Sequence, residues 1–195
     1  GTGVCLMEKK TLGFAMCGSF CTFKKAIETA RSLAGEFELV PIMSEISAGT
    51  DTRFGRAADF RAQLEEICSR EVISTIAQAE PIGPKKLLDA LLILPCTGNT
   101  LAKLANGVAD SSVTLAAKAH LRNERPVVLA VSTNDGLGAN AASIGKLLAR
   151  KHVFFVPFRQ DDACGKPCSL VADFSLAGEA VRSALGGVQL QPVLA

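Results

Sequence analysis

Histidine is scarce in this chain, an excess of charge of either sign is missing, and no apolar run is long. Only His120 and His152 occur in 195 residues, which leaves little imidazole for a metal site or a catalytic base. The 21 basic and 19 acidic side chains give a formal charge of +2, too balanced for a protein that follows a phosphate backbone, so nucleic acid is not an expected partner. The runs LLILP (91–95) and PVVLAV (126–131) fall far short of the roughly 20 residues a bilayer span needs, and no membrane crossing is predicted. GTGVCLMEKK, at the start, lacks a basic segment followed by a long apolar core, so a secretion signal is not expected and the cytoplasm is the predicted compartment.

Nucleotide fingerprints are lacking as well. The segment from Gly138 to Gly145-Lys146 has the wrong spacing for a P-loop and carries Leu147 where Ser or Thr is required, and DGLG lacks the remaining glycine of G-x-G-x-x-G. The seven cysteines, at 5, 17, 21, 68, 96, 164 and 168, include two C-x3-C pairs rather than the C-x2-C of zinc or redox sites. They read as reduced, mostly buried thiols with no metal among them.

What is present is a 48% hydrophobic composition, ample for one core, and a regular alternation. Residues 10–16 read as a strand, 22–34 as a helix, 36–43 as a second strand, 44–55 as a long polar loop and 55–69 as a helix. The apolar positions of that helix are Ala57, Phe60, Leu64, Ile67 and Cys68. Residues 70–84 stay ambiguous. DALLILPC (89–96) lacks alternation, the pattern of a strand covered on both faces, and two helices, or one broken near Gly107 to Ser111, follow. RPVVLAVS (125–132) is a fourth strand, 138–151 a helix, HVFFVPF (152–158) a fifth strand, RQDDACGKPCS (159–169) a polar loop and 173–187 a closing helix. The alternation predicts an α/β protein, a three-layer doubly wound and mostly parallel sheet. A single domain spans 10–195 behind an extension at 1–9.

In such a sheet, ligands sit outside the carboxyl ends of the strands. Gly18 and Ser19 after the first strand let backbone amides approach one phosphate, although a plain tight turn with Ser19 as helix N-cap satisfies the same pattern. In PCTGNT (95–100), Pro95 is expected to end the ladder and Gly98 to permit an unusual backbone angle. Thr97, Asn99 and Thr100 offer more polar groups than a helix cap requires.

PCTGNTLAKLANGVADSSVTLAAKA resembles the Pro-Ala-Ser-Ala-Asn-Thr signature and following helices of a flavoprotein family that includes peptidyl-cysteine decarboxylases, phosphopantothenoylcysteine decarboxylase and flavin prenyltransferases. The likeness covers the chain from Lys10 onward and implies a flavodoxin-like or Rossmann-like fold, trimers or dodecamers, and FMN near the boundaries between protomers. By position it implies a phosphate turn at Gly18 and Ser19, a hydroxyl at Ser44, a flavin-embracing signature at Thr97, Gly98, Asn99 and Thr100, and further contacts at Ser132 and Asn134. The family's decarboxylases carry a histidine shortly after strand two and a Pro-x-Met-Asn clamp after strand four. Neither is present here, which disfavours decarboxylation by that route.

AVSTNDGLGANAASIGKLLARKHVFFVPFRQDD and KPCSLVADFSL resemble more narrowly one branch of the family, a synthase subunit of spore-forming bacteria. It makes pyridine-2,6-dicarboxylate with a second subunit that resembles a nicotinamide-binding dehydrogenase. The resemblance implies flavin-linked oxidation of a partly reduced precursor, with NAD(P) reached through the partner. A non-catalytic scaffold is the alternative. A dicarboxylate needs cationic partners, and Arg53, Arg56, Arg159 and Lys166 are the candidates, though loop cations are commonly just solvated. Cys17, Cys21 and Cys96 read as packing residues, and no residue is identified as the acceptor of the ring proton.

Overall fold

A computed structural model describes residues 8–18 and 20–195. Cys5, Ser19 and all but the last two residues of the expected extension lie outside the described residues. The parallel core consists of β1 (Thr11–Met16), β2 (Glu38–Met43), β3 (Ala90–Cys96), β4 (Val127–Thr133) and β5 (Val153–Phe155), in the order β2-β1-β3-β4-β5. Every residue of β3 is buried, as expected for a strand with helices over both faces.

The chain links these strands through α1 (Phe23–Leu33), α2 (Glu45–Gly49), α3 (Ala57–Cys68), α4 (Ile76–Ala79), α5 (Gly98–Asn106), α6 (Ser112–Arg122) and α7 (Ala141–Leu148), and closes with α8 (Ala177–Leu185). In α1 the buried residues Phe23, Ala26, Ile27, Ala30 and Leu33 recur at helical spacing, so one face of the helix is apolar and must be covered. Among the described residues no helix is long and apolar enough to cross a membrane.

Four sequence expectations need correction. Pro95 does not end the ladder: pairing between β3 and β4 skips after Ile93 and resumes at Cys96 opposite Val131. The polar loop at 44–55 contains α2, five residues long and therefore too short to show a period. The fifth strand breaks at Val156-Pro157, and its remainder, β6 (Phe158–Arg159), pairs antiparallel with an unforeseen β7 (Leu170–Ala172), which itself runs antiparallel to the end of β4. Of the six described cysteines, Cys21, Cys164 and Cys168 are exposed, so the thiols are not mostly buried and Cys21 is not a packing residue. The ambiguous stretch before β3 contains α4, whose start is held by a capping box between Thr75 and Gln78.

His120 is a structural residue of α6. Its Nε2 lies 3.0 Å from the Pro126 carbonyl oxygen, which can only accept, so the ring nitrogen donates. Burial pushes its pKa down to about 4. Because the folded state holds the proton less tightly than the unfolded one, this histidine's contribution is fully present above pH 6.5 and is lost as pH falls toward 4. Urea titrations at pH 7.5 and 4.5 should show a loss of up to about 3 kcal/mol from this group, and that pH dependence should shrink in His120→Gln.

Candidate functional site

The chain leaves β1 for α1 on one face of the sheet and leaves β3 for α5 on the other, so a crevice opens between the carboxyl ends of neighbouring strands. It forms a cleft of ≈ 500 Å³, within the size range of small-molecule sites. Gly18 and Phe20 come from the turn after β1, Ser44 from the end of β2, Thr97, Asn99 and Thr100 from the start of α5, and Ser111 from the start of α6. Five residues singled out from sequence, Gly18, Ser44, Thr97, Asn99 and Thr100, thus line one cleft.

Their hydrogen bonding separates structural groups from available ones. Ser44 is engaged: its hydroxyl accepts from the Ser47 amide at 3.2 Å and donates to the Ser47 hydroxyl at 2.8 Å, capping α2. Thr100, only 8% exposed, bonds the Cys17 side chain. Thr97 occupies the N-cap of α5 without a side-chain cap bond, and Asn99 is exposed with no hydrogen-bond partner among the described residues. Among the described residues nothing engages these two polar side chains at the mouth of a helix, where they face the cleft.

The glycines divide in the same way. A methyl group on Gly98 would stand 2.3 Å from Asn140 Oδ1 and 3.0 Å from Thr133 Oγ1, so the protein itself fills that space. Its role is close approach rather than the unusual backbone angle expected from sequence, since its φ is not positive. Asn140 Nδ2 donates to the Gly98 carbonyl at 3.1 Å, and Thr133 Oγ1 donates to Asn140 Oδ1 at 2.8 Å. A methyl on Gly18 would meet nothing nearer than the Phe20 ring at 3.9 Å. No described protein atom demands glycine there, and the space it leaves belongs to the cleft.

The cleft holds one lysine and two carboxylates, all of them engaged. Lys103 Nζ pairs with Asp110 at 2.9 Å, and Glu45 accepts from the Ser112 amide at 3.1 Å at the start of α6, where a carboxylate is favoured by the helix dipole. Burial pushes the Cys17 thiol up to about 11, and the neighbouring Cys96 well above its ordinary value. Both are neutral thiols at physiological pH.

Other candidates fall elsewhere. Ser132 sits in β4 opposite Val171, and Asn134 is exposed in the following turn; neither lines the cleft. Arg53 lies over the Phe54 ring at 4.8 Å, Arg56 precedes α3 as its N-cap, and Lys166 is exposed in the loop before β7. Arg159 lines a separate recess. Sequence reading missed Thr133, Asn140, Lys103 and Asp110. Only the last pair left a trace, as charges seven apart flanking the Gly107 helix end.

A doubly wound α/β chain with a cleft at its strand crossover has the architecture in which small-molecule sites commonly form, and comparison with known proteins gives its family. The Flavoprotein family model matches residues 5–166. The B subunit of the dipicolinate synthase of Bacillus subtilis is 43% identical over 96% of this chain and 94% of that protein. The crystal structure of the corresponding B subunit from Bacillus halodurans superposes with a TM-score of 0.88 at 40% identity, covering 95% of this chain and 96% of that one. The FMN-dependent cysteine decarboxylase SpaF shares the fold, with a TM-score of 0.65 at 22% identity over 91% of this chain and 95% of that one. The chain belongs to the Flavoprotein family, and its fold is the flavodoxin-like one of that family.

Proposed function

We propose that this chain is the B subunit of a dipicolinate synthase. It would work with an A subunit in the mother-cell cytoplasm of a sporulating bacterium to form pyridine-2,6-dicarboxylate from a dihydrodipicolinate-like precursor. The observation that carries this reading is the meeting of Gly18, Thr97, Asn99 and Thr100 in one cleft at the strand crossover, in a chain 43% identical to the B subunit of a dipicolinate synthase. Assembly as a homo-oligomer, a trimer or dodecamer, is part of the proposal.

The cleft fits an FMN-type group. The methyl-sized space at Gly18 is open, the Asn99 carboxamide is without a partner among the described residues, and the Thr97 hydroxyl does not cap its helix. Asn99 and Thr97 would hold the ring system by hydrogen bonds, and the Gly18 backbone would allow close approach. Bound there, FMN supplies a hydride acceptor for aromatising a dihydropyridine ring, with NAD(P) reached through the partner subunit. The chain's own part is to orient the ring and exclude water on the Ile46 and Ile76 side of the cleft. One observation favours a second reading, in which the partner performs the oxidation and this subunit is a scaffold. Among the described residues the cleft has no histidine, and both its carboxylates are engaged.

Visible absorption spectra recorded during FMN titration test the proposal. Wild type should shift the flavin bands. Asn99→Ala with Thr97→Ala should weaken binding roughly tenfold or more, at about 1 kcal/mol for each neutral hydrogen bond, and should lower dipicolinate formation with the A subunit present. A wild type that ignores FMN while the assembled enzyme still makes dipicolinate would establish the scaffold reading.

A further inference from the structure

On the other side of the β1–α1 turn lies a recess of ≈ 270 Å³, lined by Thr22 and Lys25 of the α1 start, Arg159 of β6, and Asp173, Phe174 and Ser175 after β7. Its charge balance is opposite to that of the cleft. Lys25 and Arg159 take part in no ion pair among the described residues. The one carboxylate among the described residues of the recess, Asp173, is already engaged, accepting from the Ser175 amide at 3.0 Å and the Ser175 hydroxyl at 2.6 Å. The first turn of α1 carries no acidic residue, so the helix end adds positive potential rather than offsetting it.

Two cations against one carboxylate leave the recess with a net positive charge, which favours an added anion. Arg159 is rooted on a paired strand, opposite Val171, which fixes its backbone beside the recess. The cleft, by contrast, holds one lysine against two carboxylates, and a single turn separates the two spaces. Gly18 and Phe20 face the cleft, and Thr22 faces the recess.

We propose that the Lys25–Arg159 recess is an oxyanion subsite, taking a carboxylate or phosphate group of a ligand bound at this end of the sheet. It rests on the function proposed above for the substrate being a dicarboxylate, and it adds which residues recognise that charge. A guanidinium paired with an ammonium suits such a group, because the planar fork engages two oxygens while the ammonium supplies a point charge.

Isothermal titration of the full chain at low ionic strength with pyridine-2,6-dicarboxylate, inorganic phosphate, FMN and riboflavin tests this. The proteins compared are wild type, Arg159→Ala, Arg159→Lys, Lys25→Ala and a charge control, Lys24→Ala, at an exposed position outside the recess. Dicarboxylate affinity should fall about tenfold in Arg159→Ala and Lys25→Ala, recover partly in Arg159→Lys, stay at the wild-type value in Lys24→Ala, and weaken with added salt. If FMN weakens in the recess variants while riboflavin and dicarboxylate do not, the oxyanion is the flavin phosphate. Dicarboxylate binding that depends on Arg159 when neither flavin binds would sink the flavin reading and leave the subsite standing. No anion binding to wild type, or losses no greater than in Lys24→Ala, would overturn the proposal.

Discussion

Phe23→Ala is expected to lower the unfolding free energy by about 3–5 kcal/mol, the usual range for deleting a buried aromatic side chain, and to abolish ligand binding with it. Phe23 is fully buried and meets the Phe60 ring edge-on, with centroids 5.2 Å apart at 88°, joining α1 to α3. Its other ring neighbour is Phe20, also 5.2 Å away, and Phe20 is a wall of the cleft. Truncation removes packing from the α1–α3 contact and support from the turn between cleft and recess. Urea denaturation followed by circular dichroism measures the first effect and flavin titration the second. Phe23→Leu, which keeps most of the volume, should recover the greater part of the stability. A near-wild-type midpoint for Phe23→Ala would mean that this ring cluster does not anchor the turn.

Gly18→Ala should separate binding from stability. The position needs no left-handed backbone, because Gly18 is absent from the positive-φ residues, and the added methyl would lie 3.9 Å from its nearest protein atom. Stability should hold or rise by about 0.4–1 kcal/mol, since alanine restricts the unfolded chain more than glycine does. Flavin affinity should fall by roughly 10- to 100-fold, the effect of about 1–3 kcal/mol of crowding against a ligand at that surface. The companion change Gly98→Ala should behave differently and cost stability as well, because its methyl collides with Asn140 Oδ1 at 2.3 Å. If Gly18→Ala bound flavin as well as wild type, the turn would not lie against the ring or its phosphate.

The parallel core was legible from apolar runs such as LLILP and PVVLAV, which need no partner information to mark a strand buried on both faces. The five-residue α2 and the three-residue β7 were not, because neither is long enough to complete a pattern. β7 is held by pairing with the end of β4 and with β6. At the site, Gly18, Ser44, Thr97, Asn99 and Thr100 were readable because small and hydroxylated residues at strand ends stand out against apolar runs. Which of them are already engaged within the protein was not readable. Ser44 is tied to Ser47 and Thr100 to Cys17, while Asn99 has no partner among the described residues.

The sequence by itself determined the alternation of strands and helices, the balanced charge and the polar corners, since these are properties of local pattern and composition. Tertiary structure decided which corners share a cleft, that Arg53, Arg56 and Lys166 stand apart from it, and that Arg159 joins Lys25 across the β1–α1 turn. The reason is that sharing one space depends on distances between residues far apart in the chain, such as Gly18 and Thr100 or Lys25 and Arg159. Strand order and crossover direction set those distances, and no local pattern encodes them.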